Sequence, residues 1–402
     1  MKVEIEKSTA IGTVIAPPSK SYLHRMIISA SLAKGKSIIS NVSYSQDILA
    51  TLDCAKALLG IEYAKRNNSI EIIGNGTENI NSNKLFCRES GSTLRFFIPL
   101  CLTKNESIEL YGSERLLVRP LDVYEDICRE QGLLFERCGE YILVKGPLLA
   151  GKFNVPGNIS SQFISGLMFA LPLLDGDSTI VIKKPVESLP YIKMTVDVLN
   201  MFGIDVDFDG EIVKINGNQK YKSADVAAEG DCSNAAFLDA FNVIGGKVNL
   251  LGLNNNTTQG DRVYAEYFQK LGKDAELDIS DCPDLGPILM AIAAVKGGAI
   301  FTGTKRLEIK ESNRGQAMRD ELKKFGICAN VEENRIIVEK GTLRKPDEIL
   351  CGHNDHRIVM SLAVLSSITG GIIEGAEAVD KSFPDFFDKI TGLGIKVNKT
   401  YD

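Results

Sequence analysis

Ser160-Ser161-Gln162-Phe163-Ile164-Ser165-Gly166-Leu167-Met168-Phe169-Ala170-Leu171 opens on three polar residues and then runs almost wholly apolar. Serine at such an opening is a helix N-cap, because its hydroxyl accepts one of the backbone N–H groups that the first turn leaves unpaired. A helix apolar on nearly every side belongs inside its domain, with the sheets outside it. The same device recurs at Ser19-Lys20-Ser21, Ser90-Gly91-Ser92-Thr93, Asp231-Cys232-Ser233-Asn234, Asp281-Cys282-Pro283-Asp284 and Asn354-Asp355-His356-Arg357. Most neighbouring openings stand about 70 residues apart and one gap is nearer 50, an internal period that decides the architecture.

A second signature follows the first. Helical patterns stop at Leu59-Gly60, Gln131-Gly132, Phe202-Gly203, Leu271-Gly272-Lys273, Phe325-Gly326 and Leu393-Gly394, where glycine serves as a C-cap. Alternating strands come next, as in Ile204-Asp205-Val206-Asp207-Phe208 and then Ile212-Val213-Lys214-Ile215. Each unit therefore reads as an apolar helix, a strand, a more amphipathic helix, glycine and two strands. Six units split most simply as three plus three. The expected seams are Ala16-Pro17-Pro18 and Ala228-Glu229-Gly230.

Composition narrows the function. The 402 residues exceed one comfortable core, and 44% hydrophobic with 24% charged residues describes a soluble globular protein. The net charge of −6 argues against a nucleic-acid binder, which needs a basic excess. Nine scattered cysteines without a Cys-x-x-Cys predict reduced thiols in a cytoplasmic protein, with no disulfide framework and no metal ligand set. The apolar runs are too short for a membrane span, and Met1-Lys2-Val3-Glu4-Ile5-Glu6 alternates like a strand, unlike a signal or transit peptide.

The openings carry the chemistry. A helix N-terminus attracts anions, and Lys20, Arg25, Arg95 and Arg357 stand at or just inside three of them. Around Lys20 and Ser21 a phosphate would meet hydroxyl, ammonium, guanidinium and backbone N–H together; the plainer reading is a capped helix with two solvated cations. Lys310-Glu311-Ser312-Asn313-Arg314 sets an acid among cations, suited to proton transfer beside held anions, or is an exposed charged turn. Asp284 is a second candidate carboxylate or only a cap, and Asp355 and His356 read as cap and structural residue. Ser160-Ser161-Gln162 and Ser188-Leu189-Pro190-Tyr191 are unspecific alone, and Lys381 stands in a loop before the last helix. Cations, two carboxylates and hydroxyls, with no cofactor motif, suit transfer between two small anions.

In their joint order, Pro18-Ser19-Lys20-Ser21 with Arg25, Ser90-Gly91-Ser92-Thr93-Leu94-Arg95, Arg119-Pro120, Ser160-Ser161-Gln162-Phe163, Ser188 with Tyr191, Pro283-Asp284, Lys310-Glu311 with Arg314, Asn354-Asp355-His356-Arg357 and Lys381-Ser382-Phe383-Pro384-Asp385 resemble the 5-enolpyruvylshikimate-3-phosphate synthases, a family of enolpyruvyl transferases, over the whole chain. The resemblance implies an α/β fold of two similar domains, each of three βαβαββ units with buried helices and outer sheets, an inside-out α/β barrel. It sets residues 1–15 with 229–402 in one discontinuous domain and 16–228 in an inserted one. It implies that phosphoenolpyruvate gives its enolpyruvyl group to the 5-hydroxyl of shikimate 3-phosphate, releasing phosphate, on the way to chorismate and the aromatic amino acids. Lys20, Ser21, Arg25, Ser160, Ser161, Gln162, Ser188, Asp284 and Lys310 match positions for shikimate 3-phosphate. Lys20, Gly91, Arg119, Gln162, Arg314, Arg357 and Lys381 match positions for phosphoenolpyruvate. Asp284 matches the acceptor of the hydroxyl proton, Glu311 the proton donor to the methylene, and Lys20 assists. The family is the target of glyphosate, which takes the phosphoenolpyruvate place. No cofactor, metal, nucleic acid or membrane partner is implied, and a monomer is expected.

Two positions depart from the family pattern: Glu89 and Arg306 stand where asparagine is frequent. The sister transferase acting on UDP-N-acetylglucosamine usually carries a reactive cysteine in a loop that here reads Glu114-Arg115-Leu116-Leu117-Val118-Arg119. A non-catalytic polyanion clamp would be broadly basic and would not welcome Asp284 and Glu311. Cations from units one to three and carboxylates from units four to six serving one ligand pair predict an open free form that closes on shikimate 3-phosphate.

Overall fold

The computed structural model describes residues 1–76, 81–272 and 275–401. Lys273, expected just after one C-cap glycine, lies outside them. The chain forms two compact units, Met1–Pro17 with Gly230–Asp402, and Pro18–Glu229.

Thirteen α-helices are described: α1 (Lys20–Leu32), α2 (Gln46–Leu59), α3 (Gly91–Leu102), α4 (Glu114–Leu117), α5 (Asp122–Gln131), α6 (Ser161–Ala170), α7 (Leu189–Met201), α8 (Cys232–Val243), α9 (Tyr264–Lys270), α10 (Gly286–Lys296), α11 (Arg314–Lys324), α12 (His356–Thr369) and α13 (Phe386–Gly392). One helix per repeat is enclosed on nearly every side: α1, α3 and α6 in one unit, α8, α10 and α12 in the other. In α3 every residue from Thr93 to Leu102 is buried, and in α12 every residue from His356 to Ser367. A large apolar side chain so enclosed contributes about 1.5–3 kcal/mol. Four of these helices begin as the sequence pattern requires: Ser90, Ser160, Asp231 and Asp355 each accept a first-turn N–H on the side chain. Ser19 precedes α1 without such a bond, and α10 starts from a one-turn 3₁₀ segment, Pro283–Leu285, so Asp284 is not its cap.

The sheets repeat one pattern. Lys84–Phe86 pairs in parallel with Ile108–Tyr111, which pairs antiparallel with Tyr141–Lys145, itself in a hairpin with Leu134–Arg137. The order recurs from Lys152–Pro156 to Ile212–Ile215 and from Glu276–Asp278 to Arg335–Val338. It recurs around Lys34–Ser40, whose parallel partner is Asp225–Ala227. In the last repeat the N-terminal strand Lys2–Ile5 lies between Gly371–Glu374 and Val397–Thr400, antiparallel to both.

The fourth repeat departs from the expected unit. Among the described residues its sheet holds only Ile11–Ile15 and Lys247–Leu251, while the five other sheets hold four strands. The cause is chain length: α9 ends at Lys270 and the next strand begins at Glu276, leaving no room for a hairpin. This is the short gap between openings. Gly272 consequently does not cap: Gly60 and Gly132 take left-handed C-cap conformations, but α9 ends on Leu271 in an extended one.

Losing the hairpin bares one edge of Lys247–Leu251. Lys247 donates to Ala10 on the Ile11–Ile15 side, so by alternation the backbone of Val248 faces the other edge. There the Asn242 carboxamide of α8 takes the place of a strand: Nδ2 donates to the Val248 carbonyl at 2.9 Å and Oδ1 accepts from the Val248 N–H at 2.6 Å. Asn242→Ala leaves both groups unpaired at an open edge. We expect a loss of about 1–2 kcal/mol in urea unfolding and concentration-dependent association in light scattering. Unchanged stability and a monodisperse variant would refute this role.

Candidate functional site

In the unit Pro18–Glu229, polar groups cluster at the starts of α1, α3, α6 and α7. Lys20, first residue of α1, reaches Asp47 of α2 at 2.7 Å. One turn on, the Arg25 guanidinium is buried, 5.1 Å over the Phe96 ring. Its Nε donates to Thr195 Oγ1 at 2.8 Å, Nη1 to the Ser21 carbonyl at 2.8 Å, and Nη2 to Ser165 Oγ and the Tyr191 carbonyl. These partners are hydroxyls and carbonyls, so a buried cation is solvated by dipoles alone, and burial lowers its pKa to about 10. An entering anion supplies the charge that this pocket lacks.

At α3, Gly91 matters for what it omits. A methyl group there would stand 2.7 Å from Arg119 Nη1 and 3.6 Å from Arg95 Nη1, so two guanidinium groups converge over a bare backbone. Arg95 donates to Gln162 Oε1 at 2.8 Å and to the Pro120 carbonyl at 3.2 Å, and Gln162 Nε2 donates to Ser92 Oγ at 2.9 Å. Arg95 thus orients Gln162 and the segment next to Arg119. Its place at an opening was visible in the sequence; its tie to Gln162, 67 positions away, was not. Ser161 is buried at the start of α6 behind the Ser160 cap. Ser188 is also buried, held at φ 58° before Pro190, a conformation uncommon for a residue other than glycine.

The unit holding Gly230–Asp402 carries the carboxylates. Lys310 Nζ lies 3.1 Å from Asp284 Oδ1, Arg314 Nη1 2.8 Å from the same oxygen, and Arg357 Nη2 2.9 Å from Oδ2. Arg357 also donates to the Asp284 carbonyl at 3.1 Å. Arg314, buried at the start of α11, joins three acids: Nε meets Asp355 at 2.8 Å and Nη2 meets Glu311 at 2.7 Å, beside the bond to Asp284. Lys310 to Arg314 is therefore no exposed charged turn.

Burial pulls the Arg314 pKa down, but Asp355, Glu311 and Asp284 outweigh it and the net shift is upward. Burial pushes Asp355 up, and Arg314 more than reverses it. Burial lowers Lys310, with Asp284 opposing and Arg314 and Arg306 adding to the fall. Asp355 does more than cap α12, since it orients the Arg314 side chain. His356 is buried beside it within α12. Lys381 Nζ donates at 2.6 Å to the carbonyl of Asn354. Of the two departures, Arg306 is buried and donates to the Ser280 carbonyl, while Arg88, next to Glu89, binds Asp53 and Gln46.

Asp261 was not singled out in the sequence. It is buried, accepts from Ser233, and its pKa rises to about 6 through burial and the neighbouring Asp284 charge, against the pull of Arg357.

The family described as EPSP synthase (3-phosphoshikimate 1-carboxyvinyltransferase) matches residues 5–390. The 3-phosphoshikimate 1-carboxyvinyltransferase of Clostridium kluyveri is 39% identical over 421 aligned positions, covering 99% of this chain and 98% of the relative. That of Clostridium acetobutylicum is 39% identical, with the same coverage. Among solved structures, an EPSP synthase from Acinetobacter baumannii superposes with a TM-score of 0.81 at 22% identity, covering 100% of both chains. The enolpyruvyl transferase NikO from Streptomyces tendae reaches 0.79 at 13% identity, covering 99% of this chain and 98% of its own.

The raised pKa of Asp261 has a sign that can be checked. Between the ordinary carboxylate range near pH 4 and about pH 6 the folded state binds the proton more tightly than the unfolded one. Stability therefore falls as pH rises through that window, by about 3 kcal/mol in all. Asp261→Asn should raise the melting temperature at pH 7.5 and by clearly less at pH 5. A gap independent of pH would remove Asp261 as its source.

Proposed function

The chain belongs to the EPSP synthase family, the 3-phosphoshikimate 1-carboxyvinyltransferases, and on that premise we propose how its residues carry the reaction. The protein is a transferase of the shikimate pathway: the enolpyruvyl group of phosphoenolpyruvate passes to the 5-hydroxyl of shikimate 3-phosphate, and phosphate leaves. The observation that carries the assignment of roles is the convergence of Lys310, Arg314 and Arg357 on Asp284, with Glu311 on the same Arg314.

Shikimate 3-phosphate is held by Lys20, Ser21, Arg25, Ser160, Ser161, Gln162, Ser188 and Lys310, with Asp284 on the attacking hydroxyl. Arg25, a buried cation among neutral dipoles, suits its phosphate. Phosphoenolpyruvate is held by Lys20, Arg119, Gln162, Arg314, Arg357 and Lys381 and by the backbone of Gly91. Glu311, protonated, gives its proton to the methylene carbon. The 5-hydroxyl oxygen then bonds to the neighbouring carbon, and its proton passes to Asp284. The product of addition is a tetrahedral ketal. Elimination reverses the proton traffic: Glu311 takes a methyl proton back as the C–O bond to phosphate breaks, and the cations stabilise the departing charge.

Asp284 is a poor base while three cations face it. Two anionic substrates share those cations, so the carboxylate recovers basicity only when both are bound. That logic suppresses loss of phosphate from phosphoenolpyruvate without an acceptor. We also read the protein as a cytoplasmic monomer. Among the described residues no helix is long and apolar enough to cross a membrane, the nine cysteines are thiols, and Asn242 closes the open sheet edge.

Phosphate release from phosphoenolpyruvate should require shikimate 3-phosphate, and Glu311→Gln should cut turnover by roughly two to four orders of magnitude while substrate binding survives. Near-normal turnover would pass the proton role to another group, with Lys20 the first to test. Glyphosate should compete with phosphoenolpyruvate. Space over Gly91 is filled by the tip of Arg119, so Gly91→Ala acts by displacing that guanidinium. It should weaken glyphosate by about 1–3 kcal/mol, with a smaller rise in KM for phosphoenolpyruvate. Coincident inhibition curves for the two proteins would defeat the steric argument.

A further inference from the structure

His24 lies between Lys20 and Arg25 on α1, and the reaction as described does not use it. It is buried, with its ring 6.5 Å from that of Phe96 and nearly perpendicular to it. Nδ1 lies 2.6 Å from Thr51 Oγ1 on α2, Thr51 Oγ1 lies 2.8 Å from Thr93 Oγ1 on α3, and Thr93 Oγ1 donates at 2.8 Å to Ser90 Oγ. Ser90 Oγ in turn accepts the Thr93 backbone N–H that starts α3. Four side chains on three helices form one buried chain.

Counting protons gives the chain a direction. Thr93 spends its hydroxyl proton on Ser90, so Thr51 is the donor in the bond between the two threonines. Thr51 then has no proton for the imidazole, and His24 must donate from Nδ1. The longer contact from Thr51 to the Asp47 carbonyl, 3.3 Å, is the weaker claim on that proton. Nε2 is buried with no hydrogen-bond partner among the described residues, so a second ring proton would have no acceptor. Burial and the nearby charges of Lys20 and Arg25 also move the His24 pKa well below its usual value. The ring is a neutral Nδ1–H tautomer.

Register adds the second half. Lys20 and His24 are one turn apart on α1, and their partners Asp47 and Thr51 are one turn apart on α2. Two rungs fix α1 against α2, and the second continues to the start of α3, where Ser90 precedes Gly91. We propose that His24 is a positioning residue for phosphoenolpyruvate, a neutral donor that sets the Ser90-Gly91 backbone in register with Lys20. This rests on the reading that Lys20 and Gly91 face that substrate.

The test compares His24→Phe, Thr51→Val and His24→Asn, whose amide N–H can reach Thr51. The first two should raise KM for phosphoenolpyruvate about ten-fold or more, with KM for shikimate 3-phosphate changed by no more than about three-fold, and His24→Asn should recover most of the loss. An equal rise in both constants, or no recovery with asparagine, would overturn the proposal. Lys20→Ala and Gly91→Ala serve as controls. If neither moves KM for phosphoenolpyruvate, the site reading is at fault; if they do and His24→Phe does not, the relay is. Should either variant misfold, ¹⁵N NMR of the wild-type ring decides. A protonated Nδ1 with shifts constant from pH 5.5 to 8.5 supports the relay, and a protonated Nε2 or a titrating ring overturns it.

Discussion

A helix with no polar face has only its ends left for polar chemistry. That constraint organises this protein. Six helices are enclosed on nearly every side, so sheets must cover them, and Lys20, Arg25, Arg95 and Arg357 stand in their first two turns. The unpaired N–H groups and partial positive charge at such an end favour anions before any side chain is counted. The core and the site are thus two consequences of one pattern. A core serine at such a start serves both, as Ser90 does when it caps α3 beneath Gly91.

The two units handle charge differently. In Pro18–Glu229, the Arg25 guanidinium donates to hydroxyls and carbonyls, and Arg95 donates to an amide and a carbonyl, while Lys20 pairs with Asp47. In the other unit Arg314 and Asp284 each contact several opposite charges. Buried ion pairs of this kind are weak evidence for stability, because desolvation offsets attraction. Their use is orientation: Arg314 cannot turn without breaking bonds to three acids. Glu311 and Asp284, fixed on the same guanidinium, keep their spacing.

Much of this was legible from residue order. Period, apolar runs and capping residues pointed to buried helices because each is a local signal acting within one or two turns. Asp284 could not be resolved that way. A carboxylate before an apolar helix looks like a cap, and only the 3₁₀ turn of Pro283–Leu285 releases it to meet Lys310, Arg314 and Arg357. Asp261 gave no signal, since its partner Ser233 is remote in sequence. The short gap between openings was visible, but the two-strand sheet and its closure by Asn242 follow only when the ladder is traced.

The pairing of Lys2 with Thr400 brings the two ends of the chain side by side in one sheet. Topologically, residues 2–400 nearly close a ring. Join those ends and reopen the ring between Glu229 and Gly230, and the unit now interrupted by the other becomes a single run, residues 230–402 followed by 1–17. The nesting of one unit inside the other is therefore a matter of chain connectivity, not of how either unit packs.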